Sequence, residues 1–218
     1  PVVDAVANFR EENKGDTWQA FAEDNHLDGK PVIALLAGSR RQEIKDNLPA
    51  MLQSAGKFSD YQMVIAGAPG IDPDYYKQYI GNHDCKIIFG QTYRLLQYAK
   101  AALVTSGTAT LETALFRVPQ VVCYKTPIPH IVYWTFKNVL HTKYISLVNL
   151  IADKVVVQEL FSKFFSVEAI QAETDKLLND YAYRDNMLAQ YDEIIGILGA
   201  AGASARAADV IISLQRKR

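Results

Sequence analysis

An open α/β sheet of parallel strands with helices on both faces is the fold class that the sequence predicts, on three observations. Short apolar runs alternate with stretches of helical period. Each run is followed by small or polar residues, the composition of a turn leading out of a strand. The chain has 218 residues, 49% of them hydrophobic and 22% charged, the proportions of an ordinary globular domain. A chain of this size buries roughly 70% of its extended surface, so its core needs no disulfide or metal.

The strand runs are Val32 to Ala37, Gln62 to Ala66, Lys86 to Phe89, Ala102 to Thr105 and Gln120 to Tyr124. Between the first two, Ile44, Leu48, Met51, Leu52 and Ala55 recur at spacings of three and four, which gives a helix one apolar face to pack on the sheet. Similar helices are predicted at Pro73 to Ile80, Thr92 to Tyr98 and Thr108 to Phe116. Right-handed crossovers through them produce a doubly wound, Rossmann-like sheet whose ligand sits beyond the carboxyl ends of the strands.

After about residue 155 the strand signals stop. Three helical stretches follow, Val167 to Leu178, Tyr181 to Leu198 and Ala203 to Gln215, with Gly196, Gly199 and Gly202 punctuating the last two. Residues 1 to 30 read as a linker with one short helix around Trp18 to Ala22, residues 31 to 180 as the sheet domain, and residues 181 to 218 as a C-terminal helical extension free to leave it.

Several function classes are disfavoured. Cys85 and Cys123 lie far apart, and with four scattered histidines they make no metal-ligand spacing, so two reduced thiols in a cytoplasmic protein are expected. The chain opens Pro1-Val2-Val3-Asp4 with no leader pattern, as a fragment of a longer protein would. No stretch of about 20 apolar residues is present to span a bilayer. A net charge of -1 argues against general nucleic-acid binding.

Two loops carry the candidate chemistry. In Ala37-Gly38-Ser39-Arg40-Arg41-Gln42-Glu43-Ile44 a strand turns into a helix. Gly38 permits close backbone approach, Ser39 offers a hydroxyl, Arg40 a positive charge, and the helix start offers free N–H groups. A capping box from Ser39 to Gln42, worth about 1 kcal/mol, explains the same residues without a ligand, and both readings stand at this point. The loop is neither a Walker motif nor a Gly-x-Gly-x-x-Gly fingerprint.

The second loop is Thr105-Ser106-Gly107-Thr108-Ala109-Thr110-Leu111-Glu112, again between strand and helix. Ala109 precedes Glu112 by three, so Glu112 closes no Ser/Thr capping box. Its carboxylate either complements the helix dipole or accepts the two hydroxyls of a ribose. A phosphate loop and a sugar-binding carboxylate together describe a nucleotide site.

These loops, in this order, resemble the nucleotide half of GT-B glycosyltransferases. Leu35-Leu36-Ala37-Gly38-Ser39-Arg40 with Glu43-Ile44 is similar to the Leu-Leu-Pro-Gly-Ser-Arg loop of the lipid-A-disaccharide synthase family, with Ala37 in place of proline. Ser106 to Glu112 resembles that family's second loop, and the opening Pro1-Val2-Val3-Asp4 its interdomain linker. Lys143-Tyr144-Ile145-Ser146-Leu147-Val148-Asn149-Leu150 resembles its Tyr-Val-Ser-Leu-Pro-Asn-Leu segment, with Val148 for proline. Val157-Gln158-Glu159-Leu160 resembles Val-x-Glu-Leu-Leu-Gln, with Ser162 where Gln stands.

The resemblance implies one half of a GT-B fold that binds a UDP-sugar donor. The whole enzyme would transfer acylated glucosamine to a lipid monosaccharide acceptor, with inversion, and without metal or other cofactor. The acceptor site and general base would lie on an N-terminal domain outside this chain. Gly38, Ser39, Arg40, Ser106, Gly107 and Thr108 would face the diphosphate, and Glu112 the ribose. Asn149 and Glu159 would be further donor-site residues; without the resemblance they read as a turn residue and a solvated helix position.

From Thr113 to Ala152 there is no Asp or Glu, while Arg117, Lys125, Lys137 and Lys143 are basic. The aromatic and cationic segment Ile128 to Lys137 within it suits an anionic membrane surface, so a peripheral position on the inner face of the cytoplasmic membrane is expected. A buried helix, or a face covered by the other domain, is the plainer account. A homodimer is compatible with the sequence. Two other functions fit the loops: another UDP-N-acetylglucosamine-dependent GT-B enzyme or epimerase, and a non-catalytic nucleotide-sugar-binding module.

Overall fold

A computed structural model describes residues 2–105, 107–126 and 143–202. Two helices open the chain, α1 (Val2–Glu12) and α2 (Trp18–Asp24). Then follow β1 (Val32–Leu36), α3 (Arg41–Ala55), β2 (Gln62–Gly67), α4 (Pro73–Ile80), β3 (Cys85–Phe89), α5 (Thr92–Tyr98), β4 (Ala99–Val104), α6 (Thr108–Leu115) and β5 (Gln120–Tyr124). After these come α7 (Leu147–Ala152), β6 (Glu159–Phe161), a 3-10 turn (Ser162–Phe164), α8 (Val167–Asn179) and α9 (Tyr181–Leu198).

The six strands form one sheet in the order β3-β2-β1-β4-β5-β6, and every neighbouring pair is parallel. This order reverses direction between β1 and β4, the place where a doubly wound sheet opens a crevice beyond its strand ends. The α/β, doubly wound class is therefore the observed one.

Alternate side chains of each central strand feed opposite faces, as a period of two requires. Ile33, Leu35, Met63, Ile65, Ala101 and Leu103 join one buried cluster with Ile44, Leu48, Met51 and Leu52 of α3. Val32, Ala34, Leu36, Val64, Ala66, Ala102 and Val104 join the other, with Phe21 of α2 and Leu95 and Leu96 of α5. The apolar stripe predicted for α3 is thus the stripe that packs on the sheet.

Three expectations change. The stretch read as a linker is helical: α1 buries Val6 in the first cluster, and Arg10 donates to the Leu115 carbonyl at 2.7 Å. A sixth strand exists beyond residue 155, since β6 pairs with β5 through Val122–Glu159, Cys123–Leu160 and Tyr124–Phe161. The helix α9 returns to the core instead of leaving it, burying Met187, Tyr191 and Ile194. The stretches Ile128 to Lys137 and Ala203 to Gln215, and the loop residue Ser106, lie outside the described residues.

Candidate functional site

At the β1/β4 switch the carboxyl ends of β1, β2 and β4 open into a cleft of about 400 Å³. Its walls bring together Gly38, Ser39 and Arg40 of the first loop with Gly107, Thr108 and Glu112 of the second. Gly67, the last residue of β2, with Ala68 and Pro69 just beyond it, forms a third wall that the motifs did not indicate. Tyr76 holds that wall, its hydroxyl accepting from the Ala68 N–H at 2.8 Å in the interior. The Thr105 N–H donates to Leu36 O at 2.8 Å, tying the second loop to the end of β1.

The first loop is organised by Glu43, which stands in the sequence motif but to which the sequence reading gives no role. Oε2 of Glu43 accepts from the backbone N–H of Ser39 at 2.9 Å and of Arg40 at 3.2 Å, while Oε1 pairs with Arg40 at 2.8 Å. The cap of α3 is therefore Arg40 with Glu43 three residues on, not Ser39 with Gln42; Gln42 donates instead to Asp46. Gly38 makes this fold-back feasible. Its φ is +109°, and a Cβ there would stand 2.5 Å from both Glu43 Cβ and Oε2. Glu43 thus occupies the Ser39 and Arg40 N–H groups that a phosphate would seek, and the largely exposed Arg40 guanidinium is paired with the same carboxylate. A carboxylate in the first helical turn three residues after the cap was the available clue.

The second loop has the opposite character. Gly107, at φ +134°, is the N-cap of α6 and has no side chain to offer, so among the described residues no side chain caps that helix, and the N–H groups of Thr108 and Ala109 keep their partial positive charge. Beside it Thr105 is 2% exposed, and its hydroxyl oxygen is buried without a hydrogen-bond partner among the described residues. Such an orphan costs about 1–3 kcal/mol, and in a ligand cleft it is what an absent acceptor leaves behind. One turn into α6, Glu112 accepts from the Tyr93 hydroxyl at 2.8 Å. Burial, then this carboxylate, pushes the Tyr93 phenol well above its usual range, so it remains a donor.

Asn149 and Glu159 are not among the residues lining the cleft. Asn149 is buried within α7; its Oδ1 accepts from the N–H groups of Val156 and Val157, and its Nδ2 donates to Val157 O and Glu159. Glu159, on β6 and not on a helix, accepts also from the backbone N–H of Ile145 and from the N–H and hydroxyl of Ser146. The pair fastens the start of α7 to the edge of the sheet.

A doubly wound parallel sheet with a cleft at its switch point, lined by two strand-to-helix loops and a carboxylate, defines a Rossmann-like domain. Residues 1–205 match the family model described as lipid-A-disaccharide synthetase, and the chain belongs to that family. The lipid-A-disaccharide synthase of Myxococcus xanthus is 35% identical over 98% of this chain and 56% of its own length. The chain spans about half the length of the curated relatives it matches.

Among solved structures, the UDP-GlcNAc 2-epimerase from Neisseria meningitidis, bound to UDP-GlcNAc, superposes with a TM-score of 0.67 at 18% identity, over 97% of this chain and 53% of that one. The calicheamicin glycosyltransferase CalG4 superposes at 0.55 with 20% identity, over 85% and 42%. These likenesses establish that the fold is the one used in GT-B glycosyltransferases and related epimerases.

Proposed function

We propose that the chain is the donor-binding half of a lipid-A-disaccharide synthase, and that its switch-point cleft holds the UDP portion of UDP-2,3-diacylglucosamine. The observation that carries this reading is the second loop. Its orphan Thr105 hydroxyl, the uncapped start of α6 at Gly107 and the Glu112 carboxylate share one wall. The first two suit a diphosphate and the third a ribose, in the order in which a nucleotide presents them. Family membership supports the choice of sugar, and the epimerase solved with UDP-GlcNAc is a protein of like fold that binds a UDP-sugar.

In the reaction a hydroxyl of the lipid monosaccharide acceptor attacks the anomeric carbon of the donor. A new C–O bond forms on the face opposite the breaking bond to UDP, giving inversion. The acceptor proton passes to a base on the other half of the enzyme. UDP departs with the bonding electron pair, and the N–H groups of Gly107 and Thr108 and the Arg40 guanidinium stabilise the charge gathering on its β-phosphate. No metal takes part in this scheme.

Calorimetric titration tests the reading. The chain is expected to bind UDP, and Glu112→Ala to weaken UDP far more than inorganic phosphate, because only UDP carries a ribose. Equal losses for the two ligands overturn the ribose assignment.

A further inference from the structure

We infer that Tyr93 is a positioning residue for the donor ribose, its hydroxyl fixing the Glu112 carboxylate in the orientation that faces the cleft; this rests on the UDP reading above. Tyr93 belongs to neither loop motif and sits on α5, across the crevice wall from α6. Its hydroxyl donates to Oε1 of Glu112 at 2.8 Å, and among the described residues no other side chain donates to that carboxylate. Glu112 would otherwise sample several rotamers, and ordering it on binding would cost affinity.

The phenol ring is itself held. Phe9 of α1 meets it edge-on at 5.6 Å, and Phe116, just past α6, lies 5.3 Å away. Phe9 and Phe116 also touch at 5.7 Å, closing a three-ring cluster. Arg10 lies 5.4 Å from the Phe116 ring and anchors α1 to the end of α6 through the Leu115 carbonyl. The helix α1 therefore backs the nucleotide wall: its packing sets the ring, the ring sets the hydroxyl, and the hydroxyl sets the carboxylate.

The hydrogen-bond inventory leaves room for the ligand. An ionised carboxylate offers about four lone-pair positions, and Tyr93 takes one. The remainder can accept both ribose hydroxyls. Because Tyr93 stays protonated, it cannot turn into a second anion beside Glu112.

Calorimetry on the 218-residue chain with UDP and with pyrophosphate as probes, applied to Tyr93→Phe, Glu112→Ala and the double variant, tests the role. Tyr93→Phe keeps the ring cluster and removes only the donor. It is expected to weaken UDP roughly tenfold, the size of one charge-assisted hydrogen bond, and to leave pyrophosphate unchanged. In the Glu112→Ala background the same exchange is expected to have no further effect. Unchanged UDP affinity in Tyr93→Phe, equal loss for both probes, or additive losses in the double variant would each overturn the positioning role while leaving the UDP reading intact. If Glu112→Ala itself affects UDP and pyrophosphate alike, the ribose reading falls and the role of Tyr93 with it. Glu112→Gln, whose amide oxygen still accepts from Tyr93, supplies the comparison should the alanine variant fold poorly.

Discussion

Asn149 and Glu159 join across the turn between α7 and β6, the amide Nδ2 donating to the carboxylate Oε1 at 2.9 Å. Asn149 is 1% exposed and also satisfies the N–H groups of Val156 and Val157. Asn149→Ala would strand both donors in the interior. It is expected to destabilise the fold by about 2–4 kcal/mol, measured by urea unfolding at constant m-value. A loss below 1 kcal/mol would show that water reaches those groups.

Thr105 offers a test of opposite sign. Replacing it with valine removes the orphan hydroxyl while keeping the shape, so stability is expected to rise by about 1 kcal/mol. If that hydroxyl serves the diphosphate, UDP affinity falls in the same variant. Thermal unfolding and calorimetry on one preparation read both quantities; a stability loss would mean that the hydroxyl already has a partner in solution.

Gly38→Ala would place a methyl group 2.5 Å from Glu43 Oε2 at a backbone φ of +109°. Left-handed strain and the displaced carboxylate together are expected to cost on the order of 2–3 kcal/mol. Gly38→Ala combined with Glu43→Ala should recover part of that loss, because the clash with the carboxylate vanishes while the contact with the Cβ at position 43 and the strain remain. A double-mutant cycle that is strictly additive would reject the account of the first loop.

Acid stability should depend on Asp16. Arg94 clasps its carboxylate with two bonds of 2.7 and 2.8 Å and holds its pKa below the ordinary value of 3.8; burial opposes this and the Tyr98 hydroxyl adds to it. A group whose folded pKa is depressed contributes stability above its unfolded pKa and loses it as pH falls through the folded one. The contribution is therefore complete at neutral pH and fades from about 3.8 downward. Asp16→Asn is expected to lower stability at pH 7 and to flatten the acid limb of the stability curve. An unchanged slope between about pH 4 and about pH 2, the range in which an ordinary aspartate titrates, would sink the assignment.

The parts of this fold legible in the sequence are those where one physical signal dominates. The strand Gln120–Tyr124 is bounded by Pro119 and reads as an uninterrupted apolar run, and the observed element has those bounds. The α3 stripe was equally plain. By contrast β6 has three residues, too few to show a period of two, and it exists because β5 offers it a pairing edge. The helix α1 was more available: Val2, Val6 and Phe9 recur at spacings of four and three, but a linker composition hid them. At the cleft, glycines and hydroxyls pointed to the two loops. Tyr93 and Glu43 escaped because their roles arise from one hydrogen bond between two helices and from a side chain folding back on its own loop.

The amide of Gly202 reaches across to the Asp4 side chain, so the last described residue is tied to the first turn of α1. The described chain is in effect a ring with a narrow gap. Residues 2–202 alone, joined end to end by a short flexible tether and reopened at the exposed Asn82–Asp84 turn outside the cleft lining, are expected to give a circular permutant that keeps every strand pairing. Such a molecule would separate chain order from packing: α1 would no longer be the first element, yet it would still meet the Tyr93 ring and the end of α6.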